Sequence, residues 1–487
     1  MTSKQFRYLY LSILLVISVT TISRGYYLKH HTNDGNPFER AFETLVPDGL
    51  LGINHAINDS LSDLQETKKM ERTIERFMQR WEIQGASLAI MKDGKLLYSK
   101  GFGIADSTSG DSVNVSNIFR IASLSKLITA TGIMKLWEEK KLSLDQKVFG
   151  ENGILNDSMF LDIKDARIRD ITVEHLLRHQ AGYSTRAGDP LFCMPSIARS
   201  RNITHPMTVD DMVQFAASTR LRFRPGAGNA YSNLGYVVLG KIIEKVSGMP
   251  YETYIQDSIL KPIGCYDMHI GYSDVEHRYP NEVHYYEPSD AEPVECYDGS
   301  GHMVPRCYGG SNLQILGSAG GWVASPTELM KFITAIDPDD SKPDILKPTT
   351  IAYMTEKDSR KYPIGWMRTT DHNDWSRTGS LAGSSAMLKR QSNGYTWVFI
   401  TNTSSWSGSR FPNKIDAMIR TALNNVKDWP DRDLFINAAA TSENPALRAE
   451  IEAAQHKSQI SARSLPMPQN YKRLMQSWQR NSLTTSI

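Results

Sequence analysis

Cysteine is scarce in this chain: Cys193, Cys265, Cys296 and Cys307 are the four in 487 residues, and none stands in a C-x-x-C spacing. That removes the usual thiolate zinc site. No G-x-S-x-G is present, so the strand–turn–helix nucleophile of the α/β-hydrolases is not expected. His175 and His179 lie at i and i+4, but Glu174 precedes the pair; this is not H-E-x-x-H, and the pair reads as packing and helix capping rather than a metal site. The glycines from Gly309 to Gly321 lack a following Lys-Ser or Lys-Thr, which excludes a phosphate loop. An excess of one charge is missing too, with 55 Lys+Arg against 53 Asp+Glu. With no basic stripe interleaved with aromatics, nucleic acid is set aside as a partner. No internal repeat is found.

Long apolar runs are absent, with one exception. Residues 8–22 are apolar, preceded by Lys4 and Arg7 and stopped by Arg24. The run is shorter than the roughly 20 residues of a spanning helix, and it lacks an Ala-x-Ala cleavage pattern. Residues 1–23 therefore read as an export signal or a membrane anchor, and the remainder is expected outside the cytosol, secreted or anchored. In an oxidising compartment four cysteines suffice for two disulfides; Cys296 and Cys307 are the nearer pair, and the connectivity stays open. Acceptor sequons at Asn58, Asn114, Asn156, Asn202 and Asn402 are compatible with secretion.

Residues 24–67 read as a polar tether and 426–487 as a C-terminal extension with one helix over 446–454. Between them, Ile74, Phe77, Met78 and Trp81 fall at i, i+3, i+4 and i+7 and predict an amphipathic helix. Residues 86–91 and 96–102 about Asp93-Gly94 predict a hairpin. A second strand pair is expected over 386–390 and 395–402 about Ser392-Asn393-Gly394, followed by a helix over 413–424. Strands at both ends with helices between give an α/β (α+β) fold: one sheet built from the two chain ends in a domain spanning 68–425, with a mostly helical insertion over about 150–315.

What is present is a serine three residues before a lysine, Ser123 and Lys126 in Phe119-Arg120-Ile121-Ala122-Ser123-Leu124-Ser125-Lys126. On a helix, i and i+3 share a face, so hydroxyl and amine can meet across one turn. At a helix N-terminus the serine N–H is free to bind an oxyanion, and the dipole favours negative charge there. The apolar run from Leu127 to Trp137 predicts a central helix, and burial lowers a lysine pKa toward the neutral amine that can accept a serine proton. Tyr231 and Asn233, two apart in an extended loop before a helix, can face one cleft as proton relay and carbonyl ligand. Arg377, Thr378 and Gly379 precede Ser380 at the start of the late strand pair; a cation, a hydroxyl and a glycine suit an anionic or amide-bearing substrate, and the Ser380 N–H is a second oxyanion donor.

These motifs, taken in order, resemble the serine β-lactamase and penicillin-binding-protein superfamily, in particular its class C branch with the D-alanyl-D-alanine carboxypeptidases and the animal serine β-lactamase-like proteins. The resemblance covers residues 70–425 and also rests on Ile83-Gln84-Gly85-Ala86-Ser87, Lys92-Asp93-Gly94-Lys95, Lys141 to Asp145, Ile171 to His179 and Gly320 to Ser325. It implies Ser123 as nucleophile, Lys126 as base, Tyr231 as proton relay, and Asn233, Arg377, Thr378 and Gly379 as substrate ligands, with no cofactor and no metal. The implied activity is a serine hydrolase acting through an acyl-enzyme on a peptide, amide or ester, a small molecule or peptide rather than specifically a β-lactam. The alternative is a silent member of the fold kept as a scaffold or binding protein. Arg377 departs from the usual Lys or His; its planar fork suits a carboxylate. Tyr231-Ser232-Asn233 stands where class A enzymes carry Ser-Asp-Asn, so a separate deacylating glutamate is not expected. Oligomeric state is left open.

Overall fold

Asp93 and Gly94 both occupy positive φ, 50° and 74°, the conformation a two-residue hairpin turn requires. They join β1 (Gly85–Lys92) to β2 (Lys95–Asp106), paired antiparallel from Gly85↔Gly103 to Lys92↔Lys95. The computed structural model describes residues 53–186, 188–204, 206–338 and 344–435. With β3 (Asp111–Ser112), β4 (Arg368–Thr369), β5 (Trp375–Leu381), β6 (Ser384–Arg390) and β7 (Tyr395–Thr401), the sheet runs β3-β2-β1-β7-β6-β5-β4. β1 pairs antiparallel with β7 from Ala86↔Thr401 to Lys92↔Tyr395, so the two chain ends do build one sheet.

The period of two along β1 sends alternate residues to two separate cores. Leu88 and Ile90 meet α1 (Lys68–Trp81) through Met70, Ile74, Phe77 and Met78, and α5 (Phe411–Leu423) through Phe411, Ile415 and Ile419. Each of these buried side chains contributes about 2 kcal/mol. Ala89 and Met91 point the other way, into the core around α2 (Ser125–Glu138). Eleven of the 14 residues of α2 are buried, which makes it the central helix its apolar run predicts. The regular elements of the insertion are mostly helices, joined by long loops. They include α3 (Val173–Leu177) and α4 (Asn233–Ser247). Thr172 and His175 form a reciprocal capping box at α3, the capping role expected of His175.

The domain reaches further at both ends than 68–425. Within 53–67, expected to be tether, and 426–435, expected to be extension, residues 59–63 and 431–433 lie along the outer edge of β2. Ser62 Oγ accepts from Ser99 N at 3.0 Å and Asp59 Oδ1 from Gly101 N at 2.7 Å. From the other end, Asp433 Oδ1 accepts from Leu96 N at 3.0 Å and Arg432 Nε donates to Leu97 O at 2.9 Å. An open strand edge is a template for unwanted pairing, and these polar side chains occupy it.

Two further expectations are corrected. All four cysteines are free thiols; Cys307 Sγ is directed at the Tyr285 carbonyl and buried Cys265 Sγ at the Glu328 carbonyl, so no disulfide pair forms. Asn402 is wholly buried, accepting from Gly85 N at 2.7 Å and donating to Ile104 O at 3.0 Å, so this sequon has a structural role and no access for a glycan. The apolar run 8–22 and the helix expected over 446–454 lie outside the described residues. No helix among the described residues is long and apolar enough to cross a membrane.

Candidate active site

Ser123 sits in a single 3-10 turn, Ala122–Leu124, that feeds directly into α2. Ala122 holds φ at +48°, a left-handed conformation that costs a non-glycine residue on the order of 1 kcal/mol and persists where the surroundings enforce it. Here Ser125 Oγ donates to Ala122 O at 2.6 Å and accepts from Trp322 N at 3.2 Å, while Ile121 N donates to Trp322 O at 3.0 Å. From the sheet side, Gly379 lies so close that a Cβ built on it would stand 2.5 Å from Ile121 O and 3.2 Å from the Ala122 Cβ. The glycine of this motif is therefore a spacer that seats β5 against the Ser123 turn, and it is not among the residues that line the adjacent cavity. Gly379→Ala is expected to destabilise the domain by about 2 kcal/mol and to slow modification of Ser123, as read by urea unfolding and labelling rate together.

One turn along, Lys126 is completely buried. Its Nζ donates to Asn233 Oδ1 at 2.6 Å and to the Ala319 carbonyl, and stands 3.3 Å from Ser123 Oγ. Burial, reinforced by the nearby Arg377 cation and partly opposed by Tyr231 and Asp189, brings its pKa down to about 8. Tyr231 Oη lies 2.9 Å from the same Ser123 Oγ. Burial pushes the phenol up, but the positive charges of Arg377 and Lys126 outweigh it and bring it down to about 8.

The segment carrying Tyr231 is held by His179, itself at φ +57°. Its carbonyl accepts from Ala230 N at 2.9 Å, its Nδ1 accepts from Ser232 N at 3.2 Å, and its ring lies 4.4 Å from the Tyr231 ring. Burial, then Arg377 and Lys126, hold the His179 pKa well below its ordinary value, consistent with a neutral imidazole that accepts at Nδ1. Ser232 caps α4 by accepting from Gly235 N, which places Asn233 in the first turn with its amide on Lys126.

Arg377 is 1% exposed and faces the serine rather than the cleft. Its Nε donates to Ser123 O at 2.8 Å and its Nη2 to Tyr231 Oη at 2.8 Å. The expectation that its fork receives a substrate carboxylate is corrected: alternation along β5 turns Arg377 inward and Thr378 outward. Thr378 and Ser380 line a cavity of about 360 Å³ together with Ser123, Tyr231 and Asn233. Phe192, Leu316, Met367 and Leu381 supply its apolar wall. A second cavity of about 880 Å³ adjoins it and shares Phe192, Ser380, Leu381 and Ser409. Ser123 lines the smaller space and not the larger, so the smaller one is the candidate site.

Sequence reasoning missed Asp189, whose Oδ2 accepts from Asn233 Nδ2 at 2.8 Å, the Ala319 carbonyl and the Phe192 wall. An Asp-Pro at 189–190 signals a turn, but nothing local ties it to a residue 44 positions on. His175 and His179 act as cap and clamp, and among the described residues no group of three or more His, Cys, Asp or Glu is placed to hold a metal.

A family model described as Beta-lactamase matches residues 70–418. The chain is similar to Protein flp of Staphylococcus aureus (strain NCTC 8325 / PS 47), 24% identical over 349 residues, which are 69% of this chain and 63% of that protein. It thus spans less than two thirds of that relative's length. Among solved structures it resembles the octameric penicillin-binding protein homologue from Pyrococcus abyssi, with 26% identity, a TM-score of 0.56 and coverage of 79% of this chain and 80% of the other. It also shares the fold of D-amino acid amidase from Ochrobactrum anthropi SV3, with 21% identity, a TM-score of 0.59 and coverage of 75% and 100%.

Proposed function

Because this chain belongs to the Beta-lactamase family, we propose that it is a serine hydrolase that works through an acyl-enzyme on Ser123 and takes a peptide, amide or ester substrate. One observation carries the reading: Ser123 Oγ lies within reach of two groups able to take its proton, Lys126 Nζ at 3.3 Å and Tyr231 Oη at 2.9 Å, at the wall of a cavity.

Lys126 is arranged as a base. Asn233 Oδ1 and Ala319 O can only accept, so they take both hydrogens of the neutral amine. The lone pair is left for the third neighbour, Ser123 Oγ. As Ser123 attacks a carbonyl carbon, the Oγ–C bond forms and the proton passes to Lys126 or Tyr231. Negative charge developing on the carbonyl oxygen is met by the Ser123 and Ser380 backbone N–H groups. When the carbon–nitrogen or carbon–oxygen bond breaks, Tyr231 is placed to return the proton to the leaving group. Water then attacks the ester, its proton follows the same route back to Ser123, and the acid product departs. A buried amine and a phenol that meet one hydroxyl at the wall of a cavity favour chemistry over a scaffold. The apolar run 8–22 supports a location outside the cytosol, with the domain secreted or anchored.

The base forms of Lys126 and Tyr231 are the deprotonated ones, and the pair titrates together. Labelling of Ser123 by a fluorophosphonate is therefore expected to be slow at pH 6, to rise through an apparent midpoint near 8 and to level off above it. A rate that is flat from pH 6 to 10 would remove the proposed base. Parallel kcat/KM measurements on p-nitrophenyl esters, D-Ala-D-Ala and other peptide amides decide between esterase and peptidase.

A further inference from the structure

We propose that Asp189 is a positioning residue that fixes which end of the Asn233 amide faces Lys126, and thereby keeps the lysine lone pair on Ser123. This rests on the serine-hydrolase reading above.

Asp189 reaches two elements at once. Its Oδ1 accepts from Leu191 N at 3.0 Å, capping the short turn Pro190–Phe192, and its Oδ2 accepts from Asn233 Nδ2 at 2.8 Å. An ionised carboxylate is acceptor-only. The NH2 end of Asn233 must therefore turn to Asp189, and the oxygen end must turn to Lys126 Nζ, where it is found at 2.6 Å. The opposite rotamer is nearly identical in shape and would be disastrous for the base. An amide NH2 facing a neutral lysine donates into its lone pair, the pair that has to take the serine proton. The ammonium form of Lys126, which only donates, disfavours that flip, but the neutral amine that acts as base does not prevent it; Ala319 O can serve either state. The carboxylate beyond Asn233 does prevent it. The same turn carries Phe192 into both cavities, so the cleft wall and the amide orientation hang on one side chain.

Asp189 also acts on charge. The ionisable groups around Lys126 are Tyr231 and Asp189, which favour its ammonium form, and Arg377, which disfavours it; His179, buried behind Tyr231, is neutral. Removing the Asp189 charge therefore lowers the pH at which the lysine becomes a base.

Two variants of the full chain separate these effects. Asp189→Asn keeps the shape but removes the charge and one of the two acceptors, so its single carbonyl serves Leu191 N or Asn233 Nδ2 and its NH2 faces the other. Asp189→Ser keeps a cap for Leu191 N, which holds the turn, and loses the link to Asn233. Each is checked by thermal melting and then followed by the pH dependence of fluorophosphonate labelling at Ser123. The expected result for Asp189→Ser is a plateau rate lower by roughly 30-fold and a midpoint below the wild-type value. For Asp189→Asn the midpoint moves down similarly, and the plateau falls by an intermediate factor of about tenfold, because the single asparagine carbonyl accepts from Asn233 only when it gives up Leu191 N. Wild-type plateau and midpoint in either folded variant would overturn the proposal. So would a plateau that falls in both with the midpoint unmoved, which is the mark of packing alone. If Asp189→Ser does not fold, the Asp189→Asn midpoint decides. Absence of labelling in the wild type would instead overturn the hydrolase reading, and this inference with it.

Discussion

Lys126→Met is expected to lower the rate of Ser123 acylation by about 1,000-fold while the domain still folds. Methionine fills a similar unbranched volume, and the position is completely buried in α2. What is lost is the amine. Ser123 Oγ then retains Tyr231 as its one neighbouring proton acceptor, and Tyr231 has lost one of the two cations that bring its pKa down to about 8. Burial, the largest influence on that phenol, pushes the other way, so the remaining rate is expected to move to higher pH. Two acceptors, Asn233 Oδ1 and Ala319 O, are left without the lysine donor; each unsatisfied buried acceptor costs about 1–3 kcal/mol. Against that, no buried amine has to be desolvated. The two opposed terms predict a melting temperature within several degrees of the wild type. Single-turnover labelling at pH 6 to 10 beside a thermal melt separates chemistry from folding. A variant that melts normally and labels at the wild-type rate would remove Lys126 from the mechanism.

Arg377→Met carries the second largest effect, a loss of about 100-fold at pH 7.5. The guanidinium bridges the Ser123 carbonyl and the Tyr231 hydroxyl, both at 2.8 Å. It is also a positive charge that lowers the pKa of Lys126 and of Tyr231 alike. Without it both groups rise, less of either is in the base form at a given pH, and the midpoint of the labelling profile moves up from about 8. Arg377→Lys provides the contrast. It restores the charge but has no planar fork to span two acceptors, so the midpoint is expected to stay near that of the wild type while the plateau drops several-fold. If Arg377→Met leaves the midpoint in place, the guanidinium is a packing element and its electrostatic role is wrong.

The features legible in the sequence are those with short-range geometry. Ser123 and Lys126 share a helical face because i and i+3 always do; Asp93-Gly94 makes a hairpin turn because both residues tolerate positive φ. Tyr231 and Asn233 reach one cleft because Ser232 between them starts α4. The inward turn of Arg377 is not legible in the sequence for a reason that is equally physical. Which face of β5 a residue takes depends on the register with β6, where Arg377 stands opposite Leu388, and composition does not report register. Asp189 and Ala319 were invisible because one acts across 44 positions and the other through its backbone carbonyl. The domain ends read as tether and extension because they are polar. In the structure Asp59, Ser62, Arg432 and Asp433 spend that polarity on the backbone of β2, a use that polarity alone cannot distinguish from solvation.

The most direct test is to treat the full chain with a fluorophosphonate, digest it and locate the adduct by mass spectrometry. The expected result is a single modified residue, Ser123, with no adduct in Ser123→Ala. No adduct on the folded wild-type protein, or an adduct that persists in Ser123→Ala, would contradict the central claim that Ser123 is an activated nucleophile.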